Sequence, residues 1–347
     1  SGSKLTAGAM SATDDKDQTV VITAKAAGNG NYNPGNKEIT ITVQKYTATL
    51  SWTSTTPNSI IYGTTGKTAT ATVKVTEGTA GKVTYTSGTT DVLEIDANTG
   101  ALTTKKVGSS EITAKMARTS TVKEASVKKT ITVTAKKIEI PTGKTLTYNG
   151  EEQTGVDSKA EYRLSGTVKA TNIGTYTATA TLADANNTQW SDGSATAKTI
   201  SWKINAKNLS GNITISNIAD QTYTRSAITP QPTVTDTARN KALTNNSDYT
   251  LSYKDNTTVG TATITITGKG NYTGTVEKTF KINGDENPIK VTNKTVYTGS
   301  TVDLSTLVSD AQGDVTFSIK TNGTTTASTL SGSKLTAGAM SATDDKD

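Results

Sequence analysis

The sequence predicts an all-β protein, a linear array of β-sandwich modules with one module split across the chain ends. Two observations carry that expectation. The first is repetition: residues 1–17, SGSKLTAGAMSATDDKD, return letter for letter as residues 331–347, so the chain reads as one 330-residue period of a longer array plus an overlap. Chance and local convergence do not preserve loop residues such as Asp14, Asp15 and Lys16, and repetition at a fixed spacing implies modules stacked along a line. The second is alternation. Apolar residues interleave with Thr and Lys in TATATVKVT (68–76), KKTITVTAK (128–136) and GTATITITG (260–268), the period-two pattern of half-buried strands rich in β-branched residues. No stretch sustains a 3.6-residue apolar period, so almost no helix is expected.

Composition narrows the setting. Hydrophobic residues make up 32% of the chain and aromatics 5%, with a mean hydropathy of −0.44, so each core must be small and aliphatic. Cysteine and histidine are both absent. A disulfide-free, Thr-rich, all-β chain points to a bacterial exterior. The sequence contains no signal peptide, transmembrane run or lipidation motif, and the expectation is of a window whose parent has its termini elsewhere. The net charge of +6 comes from 36 basic and 30 acidic residues spread along the chain. No dense Lys/Arg cluster with interleaved aromatics occurs, which argues against nucleic acid and leaves weak attraction to anionic cell-envelope polymers as the chemical alternative.

Strand runs close at short polar joints near Gln44-Lys45, Lys136-Lys137, Lys207-Asn208 and 283–287. In order, residues 1–45 hold the last two strands of the split module, QTVVITAKA (18–26) and KEITITVQK (37–45). Residues 46–136, 137–207 and 208–286 form three complete modules, with Ile95, Ile112, Ile131 and Val133 expected in the core of the first and Trp202 and Ile204 in that of the second. Residues 287–347 carry the first strands of the split module, and 331–347 overlap 1–17. Neither split piece can bury its own apolar face, because a two-stranded remnant is marginal in water. Joints without Gly/Ser-rich or Pro-rich spacers restrict the swing between neighbours.

The residues of these modules resemble bacterial Ig-like families. VTYTSGTTDVLEIDANTGALTTKKVGSSEITAK (83–115) is similar to the bacterial Ig-like group 2 domain, in its Asp96 to Gly100 turn and in the strand marked by Lys106, Gly108, Ile112, Thr113 and Ala114. Residues 137–207 resemble the mostly-bacterial Ig-like repeats in LTYNGEEQTGV (146–156), YRLSGTVKATNIGTYTATATL (162–182), QWSDG (189–193) and KTISWKI (198–204). Residues 208–286 resemble a sister type through ITPQPTVTD (228–236), DYTLSYKDNTTVGTATITITGKGNYTG (248–274) and TFKI (279–282), and the split module resembles the same broad group. The resemblance implies an Ig-like sandwich at a bacterial surface or in a secreted protein. It says nothing of a ligand, since such folds host unrelated functions.

Candidate sites reduce to structural readings. GNGNY (28–32) and GKGNY (268–272) have phosphate-loop spacing, but each precedes a strand where that chemistry needs a helix N-terminus. They read as hairpin turns with glycines at positive φ and Tyr32 or Tyr272 packed on a module edge. Without His or Cys there is no Ser-His-Asp triad, no Cys-His pair and no such zinc ligand. Asp14-Asp15-Lys16-Asp17 and Glu151-Glu152 read as solvated turns, and neither Asp14, Asp15 and Asp17 nor Asp184 and Asp192 match a calcium loop of alternating carboxylates. Trp190, Trp202 and Trp52 read as core or module-edge residues, not a sugar platform. Strand lysines such as Lys203 or Lys281 read as outward-facing, with a Lys-to-Asn or Lys-to-Asp isopeptide staple as the alternative chemistry.

The expected role is therefore a non-enzymatic, extracellular structural protein forming a stalk, fibre or filament, with no catalytic, cofactor or metal residues and no membrane insertion. Its expected partners are identical copies of itself, covalently continuous and also lateral. The alternative is an adhesin that binds host or cell-envelope glycans or proteins, which predicts one module with an exposed aromatic or charged patch that its siblings lack.

Overall fold

The computed structural model describes residues 3–322 and 327–339 as strands and connecting turns, with the 3₁₀ turn Leu304–Leu307 as the one helical element among them. The all-β class and the Ig-like sandwich modules follow directly from the strand pairing. The chain divides into two units, Ser1–Asn205 and Ala206–Asp347.

The first unit begins with a long hairpin, β1 (Gln18–Ala26) and β2 (Gly35–Val43), registered from Gln18 opposite Val43 to Ala26 opposite Gly35. Alternation places Val20, Ile22, Ala24, Ala26, Ile39, Ile41 and Val43 on one face, and Thr19, Thr23, Lys25, Glu38, Thr40 and Thr42 on the other. No further strand joins this pair among the described residues.

Next comes a complete sandwich. Its strands include β3 (Ser59–Ile61), β4 (Lys67–Thr68), β5 (Val83–Ser87), β6 (Leu93–Ile95), β7 (Ala101–Thr104), β8 (Gly108–Met116) and β9 (Ala125–Thr134). One sheet runs β3-β9-β8-β5, with β3 parallel to β9 and the other pairs antiparallel. Facing it are the pair Ala48–Trp52 with Ala71–Val75 and the three-stranded sheet β4-β7-β6. Ile112, Ile131 and Val133 are fully buried between the sheets, as their alternation requires, whereas Ile95 is half-buried where two apolar clusters meet. Gly100 turns the β6–β7 hairpin at φ +71, and a side chain there would strike the Ala69 carbonyl.

The third module repeats the plan with β10 (Thr145–Thr147), β11 (Tyr162–Gly166), β12 (Gly174–Leu182) and β13 (Lys198–Asn205) in the order β10-β13-β12-β11. Trp190 is fully enclosed and Trp202, Ile200 and Ile204 line one face of β13. Each indole finds an acceptor, Trp190 Nε1 donating to Thr196 O at 2.8 Å and Trp202 Nε1 to Thr167 O at 2.6 Å. Trp190 is thus a core residue and not a cover for the module edge.

In the second unit, β14 (Gln221–Thr222), β15 (Tyr249–Lys254), β16 (Gly260–Gly268) and β17 (Thr275–Asn283) form the sheet β14-β17-β16-β15 around Ala262, Phe280, Ile282 and Ile228. Residues 287–339 then supply β18 (Thr301–Asp303), β19 (Thr329–Ser331) and β20 (Lys334–Thr336) in the order β18-β20-β19. That order matches β4-β7-β6. Val302 is the buried hydrophobic residue of this piece among those described.

Joint lysines belong to the module they open. Lys136–Ile138 runs parallel to Thr188–Trp190, and Lys207–Asn208 runs parallel to Tyr272–Thr273. These pairings place residues 136 and 207 one step beyond the boundaries that composition marks.

Candidate assembly interface

The segment that precedes β1 is fastened to the next module by charge. Asp14 and Asp15 are half-buried, because Lys45, whose side chain is fully enclosed, donates to Asp14 O at 2.5 Å and lies 3.5 Å from Asp15 Oδ1. Asp15 Oδ2 accepts the backbone N–H of Glu124 at 3.1 Å, and the Arg118 guanidinium donates to Thr13 O at 2.9 Å and to Glu124 Oε2 at 2.8 Å. Asp17 receives Gln44 Nε2 at 2.6 Å and pairs with Lys123 at 3.5 Å. The hydrogen bond from Gln44 chiefly, helped by Lys123, holds the Asp17 carboxyl below the usual carboxylate range. This corrects the solvated-turn reading of Asp14-Asp15-Lys16-Asp17: the acids form a clasp on the loop 118–124. Alternating patterns carry no sign of it, since loop 118–124 and residues 14–17 lie a hundred positions apart. Lys45, two residues past the end of β2, is the one cue in the sequence.

A second joint couples the two complete modules of this unit. β9 ends at Thr134 and the next module starts pairing at Lys136, leaving Ala135 as the whole spacer. Asn187 receives both sides of the joint, its carbonyl accepting Lys136 N at 3.0 Å and its side-chain Oδ1 accepting Val107 N at 2.9 Å. Asp184 holds Asn187 in place by accepting its backbone and side-chain N–H groups at 3.2 and 2.9 Å.

Lys207, at the start of the second unit, is buried as Lys45 is. In the second unit Lys207 Nζ lies 2.6 Å from Asp236 Oδ1, Tyr272 OH donates to Asp236 Oδ2 at 2.9 Å, and Arg239 Nη1 donates to Tyr272 OH at 3.2 Å. Burial alone would raise the Asp236 pKa, but the hydrogen bonds from Lys207 and Tyr272 outweigh it and hold the carboxyl below its ordinary value. Burial, reinforced by Asp236 and opposed by Arg239, pushes the Tyr272 phenol up to about 12. Tyr272 is therefore part of a buried polar network, while Tyr32 in the matching GNGNY turn is 77% exposed. Gly270 takes positive φ in its turn, whereas Gly28 and Gly30 do not.

The remaining candidates stay apart. Asp192 is occupied by Lys198 at 2.6 Å and by Ser194, which bring its pKa to about 2, and it does not converge with Asp184. Among the described residues no group of three or more His, Cys, Asp or Glu could hold a metal ion. Lys203 and Lys281 are exposed. Trp52 is half-buried against Tyr85, with ring centroids 6.0 Å apart. Among the described residues no helix is long and apolar enough to cross a membrane.

No family model matches the chain, and no curated protein matches it. Among solved structures it is similar to Drosophila N-cadherin EC1-4, at 12% identity over 78% of this chain and 84% of that one, with a TM-score of 0.20. It is also similar to surface layer protein SbsC domains 4-9, at 12% identity over 70% and 49% of the two chains and a TM-score of 0.25. A third likeness is to the Bacteroides ovatus mixed-linkage glucan utilization locus protein SGBP-B, at 13% identity, 68% and 70% coverage and a TM-score of 0.19. Likeness at this level carries no argument about function.

Proposed function

We propose that this chain is a non-enzymatic, extracellular structural protein, a segment of a stalk or filament at a bacterial surface. The observation that carries the reading is the fastened joint: a one-residue spacer at Ala135, with Asn187 bonded to Lys136 N and Val107 N. Spacers of one residue leave neighbouring modules little freedom to swing, and the bond from Val107 N to the Asn187 side chain across the joint reduces it further. Stiff connections serve a protein whose work is to span distance. The absence of His and Cys from the sequence fits the same reading, because it removes the commonest acid-base, nucleophilic and zinc chemistries. An adhesin predicts an exposed aromatic or charged patch on one module that its siblings lack. The most exposed tyrosines, Tyr32 and Tyr297, instead lie on the two halves of the split module, where sibling positions supply core.

Negative-stain images of the native material test the proposal. Ordered filaments or long thin stalks are expected; isolated compact particles would overturn it.

A further inference from the structure

We propose that hairpin β1–β2 completes the sandwich begun by residues 287–339, and that the occupant of its apolar face is that segment from a neighbouring copy of this chain. The inference deepens the structural reading above by naming the partner.

Three complete modules show what such a hairpin requires. In each, the last two long strands form the centre of a four-stranded sheet, β8 with β9, β12 with β13 and β16 with β17. An early short strand runs parallel to the last strand on one side, and a middle strand runs antiparallel to the penultimate strand on the other. The hairpin β1–β2 is similar in length to these centres and shares their register, Gln18 standing opposite Val43 as Gly108 stands opposite Val133, Gly174 opposite Ile204 and Gly260 opposite Ile282. Among the described residues it lacks both flanks. Val20, Ile39 and Ile41 are exposed, whereas Ile131, Trp202 and Phe280, which stand where Ile41 does, are buried, as are Ser110 and Ala262, which stand where Val20 does.

Residues 287–339 hold both missing strands in sequence. The early strand in each complete module is followed by a tyrosine whose N–H donates to the last residue of the final strand: Tyr62 to Thr134 O, Tyr148 to Asn205 O and Tyr223 to Asn283 O, at 2.8 to 2.9 Å. The residue two places before that tyrosine faces the last buried apolar residue, Ile60 with Val133, Leu146 with Ile204 and Gln221 with Ile282. Transferred to KTVY (294–297), the pattern sets Thr295 opposite Val43 and aims Tyr297 N at Gln44 O. Tyr297 is now 88% exposed.

The middle strands VTYTS (83–87), YRLSG (162–166) and YTLSYK (249–254) are matched by VTFSIK (315–320), which forms no strand. Tyr85 faces Ala114, Leu164 faces Ala180 and Leu251 faces Ile266. The same register sets Phe317 opposite Ala24, Val315 opposite Ala26 and Ile319 opposite Ile22. Val315 and Ile319 are each 37% exposed. The inferred sheet thus runs 294–296, β2, β1, 315–320, the order found in all three siblings.

The repeated segment says whose copy supplies the flanks. Lys334–Thr336 is a strand held between β18 and β19, while the identical Lys4–Thr6 is exposed and forms no strand. Among the described residues, the second occurrence has sheet partners, and the first leads through the Asp14–Asp17 clasp into β1. Between neighbouring copies the two occurrences become one segment satisfied at both ends. Folding back within one chain would leave one of them displaced. The superposition of 1–17 on 331–347 itself involves residues outside those described.

Hydrogen exchange on a two-period chain, residues 1–347 followed directly by 18–347, tests the proposal against the single 347-residue chain. Peptides from β1 and β2 should split into two equal populations, one exchanging as in the single chain and one protected at least 100-fold. One population exchanging as in the single chain would overturn the proposal, while leaving the fastened joints of the structural reading untouched. A mixing experiment checks register, because the native sequence has no cysteine. Chains with Ala24→Cys and chains with Phe317→Cys should form a disulfide-linked dimer on oxidation at least tenfold faster than Ala24→Cys with Ser318→Cys, whose side chain belongs to the other face. Equal rates would also overturn it.

Discussion

Trp202 shows how closely a single position constrains its neighbours. A Cβ at Gly155 would lie 1.8 Å from the Trp202 ring, so Gly155→Ala must displace an indole that is bonded to Thr167 O and stacked on Tyr176 with centroids 4.7 Å apart. Overpacking of this kind costs about 1–3 kcal/mol, and Trp202 fluorescence during urea unfolding should report a loss of that size from the third module. Asp236 is the corresponding polar case. Asp236→Ala leaves Lys207 buried without its carboxylate and should destabilise the surrounding module by about 3–5 kcal/mol, whereas Lys207→Met with Asp236→Leu should recover most of the loss. The pH dependence has a definite sign. Because the folded pKa of Asp236 is depressed below its ordinary 3.8, its stabilising contribution is complete above that value and disappears as pH falls through the folded pKa. Acid titration followed by hydrogen exchange on residues 207–283 checks this, with the Asp236→Asn variant showing a flatter profile. Of these residues Trp202 is legible in the sequence, since Ile200, Trp202 and Ile204 alternate on one strand. The Lys207–Asp236 pair is not, because 29 positions separate the partners and neither lies in an alternating run.

At the scale of elements, long hairpins are legible and short strands are not. β12 and β16 each alternate Thr with apolar side chains along most of their nine residues, and β8 alternates polar with apolar side chains from Glu111 to Met116, enough periods to fix both strand and buried face. Two-residue strands such as Lys67–Thr68 or Gln221–Thr222 have no period at all; their partners create them, which is also why VTFSIK stays irregular while its partner is missing. The clasp illustrates the same limit. Asp15, Arg118 and Glu124 come together only because loop 118–124 closes β8 onto β9 beside the joint. Arg118→Ala should release the segment 7–17 without unfolding the module. Exposed or half-exposed ion pairs contribute only about 0.2–1 kcal/mol each, so limited proteolysis should cut 7–17 severalfold faster while the melting of the 46–134 core stays unchanged. Lowering the pH should do the same. Asp17 and Glu124 both have pKa values depressed below their ordinary 3.8 and 4.5, the first chiefly by Gln44 and the second by Arg118 and Lys115, so the clasp is fully intact above those ordinary values and opens as pH falls through the lower folded values.

On the scale of the whole molecule, the closed modules have separate cores. The buried clusters around Ile112 and Met116, around Trp190 and Trp202, and around Phe280 and Ile282 share no residue. Each should therefore unfold as its own unit, since chains of several domains depart from a single all-or-none transition. The split halves stand outside this pattern. Val302 is their one buried hydrophobic side chain among the described residues, and Val20, Val21, Ile39, Val291 and Tyr297 are all exposed. Apolar surface left in water contributes no burial free energy and little unfolding enthalpy. Unfolding enthalpy near 60 °C is about 0.7 kcal/mol per residue of folded domain, so the three closed modules should give about 170 kcal/mol, against about 240 kcal/mol if the whole chain were folded. Differential scanning calorimetry of the monomeric 347-residue chain should record the lower figure, spread over more than one transition. Gly155→Ala should lower only the transition that Trp202 fluorescence reports. Adding EDTA should move none of them, because Asp15, Asp17, Asp184 and Asp192 are engaged by Lys45, Lys123, Asn187 and Lys198 respectively. A single transition carrying the higher enthalpy would mean that the split halves are already closed in one copy, and a transition that falls with EDTA would mean that the Asp residues hold a metal.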